Sequence, residues 1–462
     1  MDNEDAVVHI KTFNKKGWGV GSSSAVPGAV IEVIGALPSE EVLVELGRKR
    51  RRCCKGLLKQ VIVPSSSRVT ARCIHVPQCG GCVWQQIDYD QQVKLKQVKL
   101  ASIVGALCSE GVMQPIIPCD SPWAYRNKME FSFSENKAGE KFLGLIIAGS
   151  RGHVLNLEEC HLVSPWFIDV LKRVRNWWNE SDLKAYRLDD SGALRTLILR
   201  EGKRTGDKLI MLTVSGNPTY ALKERDIKEF LSAVASDVRT ERVSVYLRIQ
   251  QAIRGSPTQF FEIHLCGPDH LLETCRVNEE EFTFKISPSS FFQPNTAQAE
   301  KLYAAARNMI EGKKKHILDL YAGIATLGIV CASRAEKVTS IELNPYAVFD
   351  GESNIETNGI SNVHIVCGDV GKILAALKLR DDWVAPDLVI VDPPRTGLDP
   401  AALEVLKEIA SQEILYISCN PVTQVANIHE LALAGYSLKK LQPVDQFPHT
   451  IHLETIALLQ RT

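Results

Sequence analysis

Asp319-Leu320-Tyr321-Ala322-Gly323-Ile324-Ala325-Thr326-Leu327-Gly328 is the stretch on which the fold turns. It closes an apolar run, His316–Leu320, and carries a carboxylate into a glycine turn. The same texture repeats downstream. Candidate strands lie at Val338–Leu343, Val363–Cys367, Leu388–Asp392 and Ile414–Ser418, with helical stretches such as Pro345–Asn358 and Ala401–Ala410 between them. This alternation predicts an α/β domain with a doubly wound, Rossmann-like parallel sheet that binds ligands at the strand carboxyl ends. The second strand ends in Glu342, about twenty residues after the turn, where a carboxylate accepts hydrogen bonds from ribose hydroxyls. The third ends at Gly368-Asp369, in reach of an adenine edge. Dinucleotides need a G-x-G-x-x-G turn that seats pyrophosphate on a helix N-terminus, and the chain lacks it. Asp319 beside the turn would repel phosphate and suits the ammonium of S-adenosylmethionine.

Outward from this domain, 462 residues allow about three domains. Hydrophobic residues make up 45% and charged residues 23%, which excludes a disordered, collagen-like or coiled-coil chain. No apolar run approaches the roughly 18 residues of a membrane-spanning helix. The start, Met1-Asp2-Asn3-Glu4-Asp5, is acidic where a secretory leader is basic, so a cytoplasmic protein is expected. Lys plus Arg and Asp plus Glu both total 54, so net charge names no partner. Residues 1–65 carry a net +3, concentrated in Arg48-Lys49-Arg50-Arg51-Arg52. Short β-type runs at Val7–Phe13, Ala29–Ile34, Val42–Leu46 and Leu57–Ile62, punctuated by Gly17–Ser24, predict a small barrel over 1–65. Pro64–Ser67 reads as a linker. Residues 66–285 form a strand-rich central domain, with runs at Met129–Phe133, Lys208–Val214, Ser244–Ile249 and Phe260–Leu265. Residues 286–462 form the last domain.

Two strand ends carry chemistry into the same crevice. Ile414–Ser418 is followed at once by Cys419-Asn420-Pro421, and another strand ends in Asp392-Pro393-Pro394-Arg395. A third segment, Pro448–Glu454, sets a carboxylate before the apolar Thr455–Leu459. A thiol, a carboxylate and a methyl donor together fit methylation of a uracil at carbon 5. That carbon is too weak a nucleophile to take a sulfonium methyl unaided, and thiolate addition at carbon 6 makes it an enolate carbon. A base must then remove the carbon-5 proton, help worth about 10²–10⁴ in rate. The target base must also leave its stack, at a cost of a few kcal/mol. Arg395 stands where amine-methylating enzymes place an aromatic residue after Asp-Pro-Pro, which weakens an amine target.

Thirteen cysteines, an odd number, argue for metal binding or a reactive thiol over a disulfide framework. Cys73, Cys79 and Cys82 form C-x5-C-x2-C, and Cys160 is the distant candidate fourth ligand. Spacing alone leaves tetrahedral zinc and a [4Fe–4S] cluster open. Cys53 and Cys54 sit too crowded in the basic run to join.

These motifs resemble one family along nearly the whole chain. The C-x5-C-G-G-C loop, Ser290-Phe291-Phe292-Gln293-Pro294-Asn295, Asp319–Gly328, Asp392–Arg395, Ser418–Pro421 and Pro448–Glu454 are similar, in this order, to RNA uracil-C5 (5-methyluridine) methyltransferases. The likeness is to the 23S ribosomal RNA branch with a TRAM domain and an iron–sulfur cluster. The resemblance implies that Cys419 is the nucleophile and Glu454 the base. It implies that Gln293, Tyr321, Thr326, Glu342, Asp369 and Asp392 surround S-adenosylmethionine. Phe291, Gln293 and Asp392 would meet the flipped uracil, and Cys73, Cys79, Cys82 and Cys160 would bind [4Fe–4S]. Residues 1–65 would be an OB-like TRAM barrel gripping RNA, with Arg48–Arg52 on phosphate. Residues 93–124 would pack with the catalytic domain. A monomer acting on RNA, with no membrane, is expected. Three departures stand out: Thr326 replaces a common Asn, Ala325 a common Gly, and Gln86 a common His. The rival readings are a transfer RNA substrate and a non-catalytic RNA-binding assembly factor.

Overall fold

The computed structural model describes residues 5–47, 52–234, 242–252, 255–379 and 383–461. At the N-terminus, β1 (Asp5–Phe13), β2 (Gly19–Ser22), β3 (Val30–Val33), β4 (Glu41–Leu46) and β5 (Cys53–Val63) close into a barrel in the order β1-β2-β3-β5-β4. Strict alternation of buried and exposed residues along β1 fills it with Ala6, Val8 and Ile10. The sequence predicts a turn where β2 runs. Its Gly21 lies so close to the facing strand that a Cβ would stand 2.2 Å from the His9 carbonyl oxygen, so glycine here permits close packing.

The central sheet contains β6 (Lys128–Glu135), β7 (Lys141–Ile146), β8 (Val154–Asn156), β9 (Leu194–Glu201), β10 (Lys208–Ser215), β11 (Val243–Gln251) and β12 (Gln259–Cys266). Their order is β12-β11-β10-β9-β6-β7-β8. One face is covered by the helices Pro165–Glu180 and Glu224–Ala233, which bury Phe167, Trp177, Trp178 and Phe230. A hairpin of β13 (Leu271–Val277) and β14 (Glu280–Ile286) then packs Phe282 and Phe284 into the core of the last domain, beside Ala299 and Leu302.

That domain is built on β15 (Lys314–Leu320), β16 (Ala335–Glu342), β17 (Val363–Cys367), β18 (Leu388–Val391), β19 (Glu413–Ser418), β20 (Tyr436–Val444) and β21 (Glu454–Arg461). The order β17-β16-β15-β18-β19-β21-β20, parallel apart from β21, which runs antiparallel between β19 and β20, is a doubly wound Rossmann-like sheet. Strand order reverses between β15 and β18, and the crevice at their carboxyl ends is where such sheets bind ligands. Three helices start with an Asn or Asp cap and Pro at the first turn: Asn344-Pro345, Asp399-Pro400 and Asn420-Pro421. No helix among the described residues is long and apolar enough to cross a membrane.

A segment from far upstream completes this domain. The helix Tyr89–Val104 buries Leu100 and Val104 against Leu318 and Val389. Met113 and Ile117 form parallel bridges to Leu441 and Val444 of β20. The loop between β20 and β21 is pinned from the same side. Lys96, fully buried, donates to Asp445 at 2.6 Å and to the Phe447 carbonyl at 3.0 Å. Tyr89 donates to the other Asp445 oxygen at 2.9 Å, and Gln92 accepts from the His449 N–H at 2.8 Å. Removing one partner of a buried pair strands the other charge. Lys96→Met should therefore lose about 3–5 kcal/mol in chemical denaturation, and Lys96→Met combined with Asp445→Leu should lose less.

Candidate active site

The first turn of the last domain is shaped by its carboxylates. Asp319 lies fully buried beneath it, and its Oδ2 accepts from the Gly328 N–H at 3.1 Å and the Ser340 hydroxyl at 2.9 Å. Its Oδ1 is buried without a protein partner, and burial lifts its pKa to about 7. A Cβ at Gly328 would meet the Ser340 hydroxyl at 2.5 Å and Asp319 Oδ2 at 3.0 Å, so only glycine lets this carboxylate reach the backbone. Tyr321 and Ala325 both hold positive φ, 61° and 62°, to make the turn. Glu342 accepts from the Gly323 and Asn344 N–H groups at 2.9 and 2.8 Å. Beside them lies a cavity of about 400 Å³ lined by Tyr321, Glu342, Leu343, Asp369, Val370 and Asp399, among others. It sits at the strand carboxyl ends and gathers three residues that the sequence reading assigned to a cofactor. Asp399, which that reading lacks, joins them as the cap of Pro400–Ile409. Thr326 heads the helix Thr326–Cys331.

The reactive cluster assembles one strand over. Ser418 of β19 pairs with Thr455 of β21. In an antiparallel pair the next residues along lie opposite each other, which brings Cys419 and Glu454 face to face. Asp392 follows β18 directly and completes the cluster. Glu454 is buried and Cys419 half-buried. Burial, then the charge of Asp392, pushes Glu454 up to about 8, while Arg395 pulls it down. Asp392 is lifted to about 7 by burial and by Asp319. Burial and then Glu454 raise the Cys419 thiol, and Arg395 opposes them by its charge and by a hydrogen bond. The Arg395 carbonyl accepts from Asn420 Nδ2 at 3.0 Å and from the Thr423 hydroxyl at 3.4 Å, which ties it to the loop bearing the thiol. The sequence offers Arg395 only as a departure from an aromatic; the structure sets its side chain beside the thiol.

Phe291, Gln293 and Asn295 come from the loop before the helix Thr296–Asn308. Asn295 caps that helix, and Gln293 is buried, its Oε1 accepting from Gln446 Nε2 at 3.3 Å. Phe292 is buried, whereas Phe291 is 63% exposed. A groove of about 860 Å³ joins the three domains, lined by Lys15, Lys16 and Trp18 of the barrel, Arg126 of the central domain, and Arg395 and His452. Arg48–Arg51 lie outside the described residues.

Cys73, Cys79, Cys82 and Cys160 line one enclosed cavity of about 30 Å³. Each thiol is raised mainly by burial, and each is raised further by at least one of the other three. No group of three or more His, Cys, Asp or Glu among the described residues is arranged to hold a metal ion.

Residues 220–462 match the tRNA (uracil-5-)-methyltransferase family. An uncharacterized RNA methyltransferase of Protochlamydia amoebophila is 44% identical over 440 residues, 93% of this chain and 99% of that one. The chain belongs to the tRNA (uracil-5-)-methyltransferase family. An uncharacterized RNA methyltransferase of Clostridium tetani is 32% identical over 94% of this chain and 93% of its own. The structure of the Pyrococcus abyssi tRNA (uracil-54, C5)-methyltransferase, in complex with S-adenosyl-L-homocysteine, superposes with a TM-score of 0.72. It is 25% identical and covers 97% of this chain and 99% of that one.

Two measurements on this family member test the electrostatics. Iodoacetamide labelling of Cys419 should shift to higher pH in Arg395→Ala, because the cation that favours the thiolate is gone. For Glu454, a folded pKa of about 8 exceeds the unfolded value of about 4.3. The folded state therefore binds more protons across that window, and Glu454 destabilises it progressively as pH rises from about 4 to 8. Glu454→Gln should raise Tm at pH 8 and change it little at pH 4.

Proposed function

We propose that the chain methylates carbon 5 of a uridine in RNA, most consistently in 23S ribosomal RNA, with S-adenosylmethionine as donor. The observation that carries the mechanism is the pairing of Ser418 with Thr455, which sets Cys419 and Glu454 at one end of the β19–β21 pair, close enough for the carboxylate to raise the thiol. The Cys419 thiolate, favoured by Arg395, attacks carbon 6 of the uracil, and the ring's electrons move to make carbon 5 nucleophilic. S-adenosylmethionine, when bound, supplies the electrophilic methyl group. Glu454, as carboxylate, takes the carbon-5 proton; the electrons of that C–H bond re-form the double bond and expel the Cys419 sulfur. Tyr321, Glu342 and Asp369 line the cavity suited to the donor. Gln293, Thr326 and Asp392 also contact the donor in this reading, and Phe291, Gln293 and Asp392 meet the flipped base.

The fit of Cys73, Cys79, Cys82 and Cys160 to a [4Fe–4S] cluster rests on the donor set. Four soft thiols surround one enclosed cavity, and a bound metal cation would relieve their mutual repulsion as thiolates. In this reading they hold the cluster and so tie the 73–82 loop to the segment at Cys160. Transfer RNA is the second substrate reading, favoured by the Pyrococcus abyssi neighbour, itself a tRNA enzyme.

Cys419→Ala should abolish methyl transfer. Glu454→Gln should still add to RNA and release it slowly, leaving a protein–RNA band on a denaturing gel; normal turnover by this variant would remove Glu454 as base. Mass spectrometry of ribosomal and transfer RNA from a deletion strain decides the substrate by which pool loses 5-methyluridine. Anaerobic purification should give a brown protein carrying iron; a colourless, zinc-loaded protein would refute the cluster and leave the methylation reading intact.

A further inference from the structure

The face of the central sheet turned away from its helices is covered at one end. There Ile198, Met211 and Tyr246 pack into the core of the last domain. Arg200 donates to the Ser287 and Ser290 carbonyls at 3.2 and 2.8 Å, beside the loop that carries Phe291. Beyond this contact, among the described residues, Glu262 and Phe260 are exposed and Ser132, Thr196 and Arg248 half-buried, while Thr213 is buried. Strand register sets Ser132, Thr196, Thr213, Arg248 and Glu262 in a single row across β6, β9, β10, β11 and β12. At about 4.8 Å per strand the row runs about 19 Å. It starts at Ser132, which lines the groove shared with Arg395. It ends on an edge strand whose Phe260 is 46% exposed, with the Arg248 guanidinium 5.0 Å from the ring centre. Arg248 Nε also donates to the Thr213 hydroxyl at 3.2 Å, so it lies along the row. Ser289 of the Phe291 loop donates to Glu262, which joins the far end of the row to the mouth of the active site.

Two features of this row suit a strand of RNA. Lys128 and Arg248 place cationic groups on the same side of the sheet as Glu130 and Glu262, while Arg200 is buried at the covered end. The proton on Lys128 is held down to about 8 by burial and by the two arginines, with Glu130 opposing, so an anion placed here would relieve that repulsion. Phe260 presents an exposed ring beside the Arg248 guanidinium, an arrangement that suits an unpaired base better than an apolar partner.

We infer that the face from Ser132 to Phe260 is a platform for a single-stranded stretch of RNA beside the target uridine, with a base stacked on Phe260 and phosphate beside Arg248 and Lys128. This rests on the reading of the chain as an RNA methyltransferase and adds to it an extended substrate contact outside the chemical site. Phe261 is the internal control. It is 50% exposed on the same strand but points to the opposite face, so a merely sticky edge would use both rings alike.

The test is fluorescence anisotropy with labelled oligouridylates of about five and about fifteen nucleotides, spanning the range of single-strand site sizes. The full-length protein should prefer the longer probe. Phe260→Ala and Arg248→Ala should each cut that preference about tenfold, Phe260→Trp should retain it, and Phe261→Ala should leave it unchanged. Arg248→Ala should also lower the slope of log affinity against log salt by about one. Equal losses from Phe260→Ala and Phe261→Ala would overturn the platform, as would equal binding of the two probes by the unaltered protein or equal competition by duplex RNA. Tritium transfer from labelled S-adenosylmethionine to total RNA, run in parallel on the unaltered protein, reports on the methylation reading separately, since the anisotropy ratio needs no turnover.

Discussion

The pairing of β21 with β19 is the constraint on which the site depends. Both strands lie buried in the middle of a sheet, and the register fixed by Ser418 and Thr455 leaves Cys419 and Glu454 no option but to face each other. A slip of one residue would turn Glu454 to the opposite face and empty the site of its carboxylate, while also mispacking a strand whose first six residues are buried. Stability and catalysis are therefore secured by the same hydrogen bonds.

The register brings acids together where water does not reach, and the energetics follow. Asp319, Asp392 and Glu454 all have raised pKa values, first because burial disfavours their charge and then because each feels another carboxylate. In the proposed mechanism a base near 8 suits removal of a carbon-bound proton better than a surface carboxylate near 4. Arg395 balances the cluster by favouring charge on both Cys419 and Glu454. Its anchor to Asn420 and Thr423 keeps thiol and cation on one loop.

The loop that delivers Glu454 to β21 is held by residues more than three hundred positions upstream. Lys96 and Tyr89 grip Asp445, Gln92 grips His449, and the Val83 and Trp84 N–H groups donate to the His449 carbonyl. Tyr125 adds a bond to the Pro448 carbonyl at 3.1 Å. The cysteine loop and the barrel thus reach the chemistry mechanically: Trp84, inside this contact, also donates to the Gly17 carbonyl of the barrel at 3.2 Å.

Local patterns made much of this legible. The five parallel strands announce themselves because buried parallel strands are continuous apolar runs, and their ends are marked by Asp319, Glu342, Asp369, Asp392 and Cys419. The Asn-Pro and Asp-Pro caps mark helix starts for equally local reasons. Other features depend on partners distant in sequence. β2 reads as a turn because its glycines are needed for closeness to β1, which composition does not reveal. Arg395 reads as a mismatch in a motif until the loop ties it beside Cys419. Asp399 draws no notice in the sequence until the cavity forms around it. The row from Ser132 to Phe260 draws one residue from each of five strands, and no single strand contains a hint of it. Sequence determined which residues can do chemistry, since reactivity belongs to the side chain; the tertiary structure decided which of them meet, since register and packing act between segments that the chain keeps apart.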